Sequence, residues 1–159
     1  MKKWLSLLLC LCILPLFAFA AATEEENAAA AAQPAPPDGV FEYDITVVAD
    51  DNFPLPGTLT LPEEDPRAGF VLVHGSGANN RDEQIGPNRP FRDLAWGLAQ
   101  QGFAVLRYDK RTMVYPEPFI WTVDEETAID AAAAVHLMGG VPGMEDKKIF
   151  IMGHSMGAM

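Results

Sequence analysis

The sequence predicts an α/β domain with a mostly parallel sheet, preceded by an N-terminal antiparallel hairpin. Three short segments, Gly69–Val73, Phe103–Tyr108 and Lys148–Met152, are apolar without the alternation of a half-exposed strand. Such segments are typical of strands that a parallel sheet buries on both faces. Segments with helical spacing separate them, and this alternation of strand and helix indicates a parallel α/β sheet.

The first residues of the chain have the pattern of a secretory signal peptide. Two lysines precede an apolar stretch from Leu5 to Phe17, and Ala18-Phe19-Ala20 supplies the small residues of a cleavage site. A membrane anchor is the alternative, but the stretch is short for a span of about 20 residues and contains Pro15. We therefore expect residues 1–20 to be a signal peptide and the protein to be secreted or periplasmic, in a bacterium.

A linker and one domain follow this segment. Residues 21–39 contain three glutamates, an alanine run and three prolines, which is typical of a disordered linker. We place the domain at residues 40–159. Both cysteines, Cys10 and Cys12, lie in the signal segment, so a small disulfide-stapled fold is excluded for the mature chain. Leucines precede both, whereas a lipid-attachment site has small residues there.

The net charge of −11 limits the classes of partner. Nucleic-acid binding requires a basic surface, so we expect no nucleic-acid partner. The same charge opposes docking on anionic lipid, and we expect no stable membrane insertion after signal cleavage. No metal-ligand spacing and no phosphate-binding glycine loop occurs in the sequence, which therefore predicts neither a metal nor a cofactor.

The remaining elements follow from local patterns. Phe41–Val48 and Leu55–Leu61 alternate around a short polar connection, which predicts the hairpin. A helix is predicted over Pro90–Gln101, and one face of it carries Phe91, Leu94, Ala95 and Leu98. Asp109–Trp121 is predicted as a loop. The pair Thr122 and Glu125 has capping-box spacing and predicts a second helix to about Met138.

The strongest chemical motif is Gly153-His154-Ser155-Met156-Gly157. It matches G-x-S-x-G, the strained strand-to-helix turn that exposes a nucleophilic serine. It directly follows a predicted buried strand, as that mechanism requires. Gly153 and Gly157 are expected because side chains there would crowd the turn. The alternative, an ordinary serine in a glycine-rich turn, does not explain this context.

A second motif, His74-Gly75-Ser76-Gly77, ends the first buried strand. Acyl transfer places negative charge on a carbonyl oxygen, which two backbone N–H groups usually hold. We expect these N–H groups to belong to Met156, which follows the nucleophile, and to Ser76. A plain β-to-α turn is the alternative for this motif taken alone.

The three histidines are not predicted to be the general base. His74 is expected to brace the loop, His154 to point away from the serine hydroxyl, and His136 to be structural. Asp109 and Arg111 follow the second buried strand and are expected to brace loops near the site. Arg81, Asp82 and Glu83 follow the glycine turn, where loop salt bridges are expected rather than substrate contacts.

From Phe41 onward, the chain resembles the α/β-hydrolase superfamily. Within it, the chain is similar to secreted bacterial esterases grouped with dienelactone hydrolases and serine aminopeptidases. The segments that carry this resemblance are His74–Gly77, Asn80–Glu83, Gly86–Asn88, Pro90–Phe91, Asp93–Ala99, Val105–Thr112 and Gly153–Gly157. One departure is Met113–Trp121, which is more apolar than in such esterases and implies a more apolar acyl pocket.

The resemblance implies a serine carboxylesterase that hydrolyses small acyl esters through an acyl-enzyme on Ser155. A serine peptidase of the same fold and a non-catalytic truncated product are the alternatives. In this fold the triad order is Ser, then Asp or Glu, then His. All three histidines precede Ser155. We therefore expect the triad acid and histidine to be absent from this chain, which would be an inactive, poorly soluble N-terminal part of the domain.

Overall fold

The strands and helices are described here from a computed structural model, which covers residues 34–49, 51–118 and 120–159. The predicted signal peptide and most of the predicted linker lie outside the described residues, so both stay predictions. The residues of the predicted domain belong to one structural unit, Pro36–Met159.

A five-stranded mixed sheet forms the centre of this unit, in the order β1-β2-β4-β3-β5. Strands β1 (Val40–Val48) and β2 (Pro54–Pro62) pair antiparallel over their whole length, which confirms the hairpin. Strand β2 also pairs antiparallel with β4 (Ala104–Tyr108). Strand β3 (Gly69–Val73) lies parallel to both β4 and β5 (Ile149–Gly153). The parallel α/β core with an antiparallel hairpin is therefore confirmed.

Helices connect the parallel strands. Helix α1 (Pro90–Gln100) has Pro90 in its first turn and joins β3 to β4. A short helix, α2 (Arg111–Val114), lies in the segment that was predicted as loop. A π-helical segment (Asp124–Ile129) continues into α3 (Asp130–Gly139) before β5. None of the described helices combines the length and apolar character needed to cross a bilayer.

The capping box before the π-helical segment is present. The Thr122 N–H donates to Glu125 Oε2 at 2.7 Å, and the Glu125 N–H donates to Thr122 Oγ1 at 3.3 Å. Each side chain thus satisfies an N–H group that the start of a helix leaves without an acceptor. The prediction of a helix starting here is confirmed, although its first turns are π-helical.

The two faces of the sheet carry separate apolar clusters. Val71 and Val73 of β3 face the layer that contains α3, whereas Leu72 between them faces α1. Successive residues of a strand point to opposite faces, so a strand buried on both sides has no polar position. The helical residues in these clusters are Phe91 and Ala95 on one face and Ala131, Ala134 and Met138 on the other.

Two packing predictions were wrong in detail. Leu94 is 37% exposed, because the buried side of α1 is formed by Phe91, Ala95 and Ala99. Strand β5 was predicted to be buried on both faces, but Ile151 is 56% exposed. Among the described strands only β3 pairs with β5, so β5 is the edge of the described sheet.

Candidate active site

The carboxyl end of β3 is where the strand order of the sheet reverses. After β3 the chain forms β4 on one side and later β5 on the other. In open α/β sheets, ligands bind in the crevice outside the carboxyl ends of the strands at such a point. The segments that follow β3 and β5 start side by side, because Val73 pairs with Gly153 and the His154 N–H donates to the Val73 carbonyl at 2.9 Å.

The segment after β5 is a tight turn with a strained residue at its tip. Ser155 has φ of 52°, in the left-handed region that a residue with a side chain rarely adopts. It follows extended His154 and begins a single 3₁₀ turn, Ser155–Ala158, with Ser155 exposed. The first N–H groups of such a turn have no acceptor within it. The Met156 N–H is therefore placed at the start of a helical turn, beside an exposed serine hydroxyl.

Both glycines of this turn are required by close backbone contacts. A Cβ on Gly153 would lie 2.0 Å from the Gly157 carbonyl oxygen. A Cβ on Gly157 would lie 2.4 Å from the Val73 carbonyl oxygen. Both distances are far below van der Waals contact, and the atoms that would have to move belong to the backbone. Any side chain at either position would therefore displace the turn.

The loop after β3 contacts this turn directly. A Cβ on Gly75 would lie 3.1 Å from His154 Nδ1 and 3.4 Å from Ser155 Cβ. Further along, Gly77 has φ of +91°, which favours glycine. Asn79 closes the loop: its Nδ2 group lies within hydrogen-bond distance of the carbonyls of Gly75, Ser76 and Gly77, at 3.3, 3.1 and 3.3 Å. Ser76 therefore lies in a braced loop, one residue after the glycine that approaches Ser155.

Glu83 connects the loop to the turn. Its Oε1 accepts the Gly75 N–H at 2.8 Å and lies 2.9 Å from His154 Nδ1. The Glu83 side chain is buried, and its backbone has φ of 49°. The His154 ring is thus directed toward Glu83. Glu83 was expected to form salt bridges within its loop. Its contacts with Gly75 and His154 were not predicted, because nothing in the sequence pattern indicates them.

His74 is buried between two aromatic rings. Its ring centroid lies 5.4 Å from that of Phe91 and 5.3 Å from that of Tyr108. Burial lowers the pKa of His74 from 6.5 to about 4, and the partial opposition of Glu83 does not reverse this. The ring is therefore neutral at pH 7. Its Nε2 has no hydrogen-bond partner within the described residues.

Asp109 and Arg111 contact different loops. Asp109 accepts the Arg81 N–H at 2.7 Å and forms a two-point ion pair with the Arg81 guanidinium at 3.1 and 2.8 Å. Arg81 also donates to the Gly57 carbonyl at 2.8 Å. Asp109 thus connects the end of β4, the loop after β3 and strand β2.

Arg111 is completely buried and forms ion pairs with Asp130 and Asp51. The Asp130 hydrogen bond raises the pKa of Arg111, which keeps the guanidinium charged. Its guanidinium carbon lies 4.9 Å from the centre of the Trp121 ring and 5.7 Å from that of Phe53. Arg111 therefore fixes the segment between β4 and the π-helical segment to the hairpin.

An apolar depression of about 490 Å³ borders the turn on the side of α3. The residues that line the depression are Val73, Thr127, Ala128, Ala131, Ala132, Ile151, Gly153 and Met156–Met159.

Within the described ranges, no group of three or more His, Cys, Asp or Glu side chains is arranged to hold a metal ion.

Solved structures with the same arrangement identify the fold. An esterase from Pyrococcus furiosus matches with a TM-score of 0.60 and 23% identity, over 79% of this chain and 47% of its own. A dienelactone hydrolase from Anabaena variabilis matches with a TM-score of 0.58 and 22% identity, over 75% of this chain and 54% of its own. The chain has the α/β-hydrolase fold. The turn Gly153–Gly157, called the elbow below for its shape, follows strand β5 directly. A strand-to-helix turn of this kind is also the geometry of a nucleophile elbow.

A sequence relative adds to this result. Esterase EstD from Thermotoga maritima is 43% identical over 125 residues, which cover 77% of this chain. Those residues are 29% of the esterase, so the chain described here spans less than a third of this relative's length. No family model matches the chain. Brefeldin A esterase, a bacterial homologue of human hormone-sensitive lipase, has the same fold, with a TM-score of 0.56 and 19% identity over 90% of this chain and 41% of its own.

Proposed function

We propose that this protein is a serine carboxylesterase that hydrolyses small acyl esters. Ser155 Oγ attacks the ester carbonyl, and the tetrahedral oxyanion is held by the N–H groups of Ser76 and Met156. Collapse breaks the bond to the alcohol, which leaves with a proton and gives an acyl-enzyme on Ser155. Water then attacks the acyl carbon, releases the acid and restores the Ser155 hydroxyl.

The observation that carries the proposal is the contact between the two loops. A Cβ built on Gly75 would lie 3.4 Å from Ser155 Cβ, which is van der Waals distance. The Gly75 backbone therefore lies close to the Ser155 side chain. An acyl carbonyl placed on Ser155 would therefore lie against the loop that presents Ser76. Similarity to Esterase EstD supports the choice of ester hydrolysis among the activities of this fold.

The general base of this mechanism does not come from the described histidines. His74 is buried and neutral, and His154 is directed to Glu83. His136 lies on the exposed side of α3. We propose that the base and its acidic partner follow Ser155 in the chain of the whole protein, in the order Ser, acid, His of this fold.

The test uses the whole protein and two substrates. We expect turnover of p-nitrophenyl acetate, and Ser155→Ala should abolish it to background. A fluorophosphonate probe should label Ser155, as mapped by mass spectrometry, and Ser76→Ala serves as the matched control because it changes the other serine of the site. A Ser155→Ala variant with normal turnover would overturn the proposal.

The same experiment separates the rival functions. A serine peptidase of this fold would cleave an aminoacyl p-nitroanilide, which a carboxylesterase would leave intact. A non-catalytic product would cleave neither and would remain unlabelled. Ester cleavage with Ser155 labelling, and no cleavage of the anilide, is the outcome that supports the carboxylesterase.

The proposal includes the cellular location. The predicted signal peptide supports export to the periplasm or the medium, where a small ester would be the substrate and partner. Fractionation of a bacterial host that expresses the whole protein tests this, together with N-terminal sequencing of the mature form. Cleavage after Ala20 and recovery outside the cytoplasm are expected; an intact N-terminus in the cytoplasmic fraction would contradict the proposal.

A further inference from the structure

Lys110 is a lysine without exposed surface at the carboxyl end of β4. Its side chain has 0% exposure, and its ammonium group contacts two oxygen atoms. Nζ lies 2.7 Å from the Gly75 carbonyl oxygen and 3.1 Å from Glu126 Oε2. The backbone of Lys110 is fixed as well, because its N–H donates to the Asn79 carbonyl at 3.0 Å. The ammonium is therefore held in one place under the loop that follows β3.

The Gly75 carbonyl and the Ser76 N–H belong to the same peptide group. In a planar trans peptide the C=O and N–H bonds point in opposite directions, so a contact that fixes one fixes the other. Lys110 holds the carbonyl on the buried side of the loop. The Ser76 N–H is consequently directed to the opposite side, away from the buried ammonium.

The N–H of Gly75 is held from a different direction. It donates to Glu83 Oε1 at 2.8 Å, and the same oxygen contacts His154 of the elbow. The two peptide groups that meet at Gly75 are thus fixed by two buried charged side chains of opposite sign. Rotation of the peptide between Gly75 and Ser76 would break the bond to Lys110 and leave its ammonium with Glu126 alone.

A charged donor exceeds what is needed to brace the loop. The neutral Asn79 amide already lies 3.3 Å from the Gly75 carbonyl oxygen. A buried ammonium carries a desolvation cost that a neutral donor avoids. A charge on a peptide carbonyl also polarises the amide, which makes its N–H a stronger donor in a low-dielectric site. The charge thus has an effect on Ser76 that the loop's shape does not require.

We propose that Lys110 is a positioning residue that aims the Ser76 N–H at the oxyanion and strengthens it as a donor. This inference rests on the proposed esterase mechanism. Since the oxyanion forms only in the transition state, the contribution of Lys110 should affect kcat more than KM. It should also affect binding of a tetrahedral adduct more than binding of the product acid.

The test compares variants of the whole protein that separate charge from packing. Lys110→Met keeps the length of the side chain but leaves Glu126 as an unpaired, partly buried carboxylate, which destabilises the fold. The double variant Lys110→Met with Glu126→Gln removes that carboxylate charge, and it is compared with Glu126→Gln alone. Lys147→Met, at an exposed position, is the control for loss of a lysine.

We expect the double variant to have kcat lowered by about 10- to 100-fold relative to Glu126→Gln. KM should stay within about twofold, as should the inhibition constant of the product acid. The affinity for a trifluoromethyl ketone, which forms a tetrahedral adduct with serine, should fall in parallel with kcat.

The measurements distinguish failure of the role proposed for Lys110 from failure of the proposed esterase mechanism. A folded double variant with the kcat and ketone affinity of Glu126→Gln would overturn the role of Lys110 and leave the esterase mechanism intact. Equal losses in kcat, ketone affinity and product-acid affinity would also overturn it, because they indicate a general loss of the site. A Ser155→Ala variant with the same turnover as the unmodified protein would overturn the proposed function itself.

Discussion

The elbow after β5 and the loop after β3 lie side by side but are held in different ways. The elbow is fixed by backbone contacts: Gly153 approaches the Gly157 carbonyl within the turn, and Gly157 approaches the Val73 carbonyl at the end of β3, both too closely for any side chain. The loop after β3 is fixed by side chains that bind the Gly75 backbone. Glu83 lies 8 residues after Gly75 in the chain, and Lys110 lies 35 residues after it. The elbow thus depends on close backbone contacts within the turn and with β3, whereas the loop depends on buried side chains from other parts of the fold. The elbow should fail when its backbone is crowded, and the loop when its buried partners are removed.

Crowding the elbow should have the largest effect. Gly157→Ala places a Cβ 2.4 Å from the Val73 carbonyl oxygen, and a backbone atom cannot withdraw as a flexible side chain can. We expect a loss of at least about 3 kcal/mol in the free energy of unfolding and no labelling of Ser155 by a fluorophosphonate.

The matched control for this change is Gly97→Ala in α1. A Cβ on Gly97 meets no atom within 4 Å, and alanine is the better helix former, so a gain of roughly 0.5–1 kcal/mol is expected. Urea unfolding measures both variants. Equal stabilities for the two variants would show that the elbow is not limited by backbone contacts.

Acidification should reveal the buried state of His74, which adjoins the loop. The pKa of its folded state is lowered to about 4, so between pH 6.5 and pH 4 the unfolded chain binds more protons than the folded one. Stability should therefore fall by on the order of 3 kcal/mol as the pH drops through this window. His74→Gln should lack this part of the pH dependence. Urea unfolding at several pH values gives the comparison, and parallel curves for the two proteins would contradict it.

Removing the Ser76 N–H should be the largest specific loss in the loop after β3. Ser76→Pro deletes that donor and should lower kcat by about a hundredfold. Ser76→Ala keeps the N–H and should retain most activity, because the mechanism assigns no role to the hydroxyl. Steady-state kinetics with p-nitrophenyl acetate distinguish the two. Equal losses in both variants would mean that the side chain acts or that the loop collapses.

Changes at Glu83 should have a smaller effect. Glu83→Ala leaves the buried Gly75 N–H without an acceptor, at a cost of about 1–3 kcal/mol, and should lower kcat by roughly tenfold. Glu83→Gln keeps an acceptor oxygen and should lose less. Glu64→Ala, at an exposed position, is the control for loss of a carboxylate. If Glu83→Gln and Glu83→Ala were equally active, the link between loop and elbow would not matter for turnover.

The succession of strands and helices along the chain and the glycine turn around Ser155 could be predicted from the sequence because their signals are local. The unalternating run at β3 reflects burial on two faces, and the spacing around Ser155 reflects a turn of five residues. The exposure of Leu94 could not be predicted, since four apolar positions share one face of the helix and only the sheet decides which of them it covers. The exposed side chains of β5 have the same origin, because burial depends on neighbouring elements.

The partners of Gly75 could not be predicted either. A lysine directly after a strand resembles an exposed residue, and Lys110 is buried only because β4 pairs with β3 and places it under the loop. Glu83 in turn lies in a segment of mixed charges, where many ion pairs are equally compatible with the sequence. Such long-range contacts become visible only when the strand order is known.

The most direct test of the proposed mechanism is a crystal structure of the whole protein after reaction with a fluorophosphonate. We expect phosphorus bonded to Ser155 Oγ, with the phosphoryl oxygen at about 3 Å from the backbone nitrogens of both Ser76 and Met156. Lys110 Nζ should remain on the Gly75 carbonyl. Phosphorus on another residue, or a phosphoryl oxygen turned away from Ser76, would contradict it.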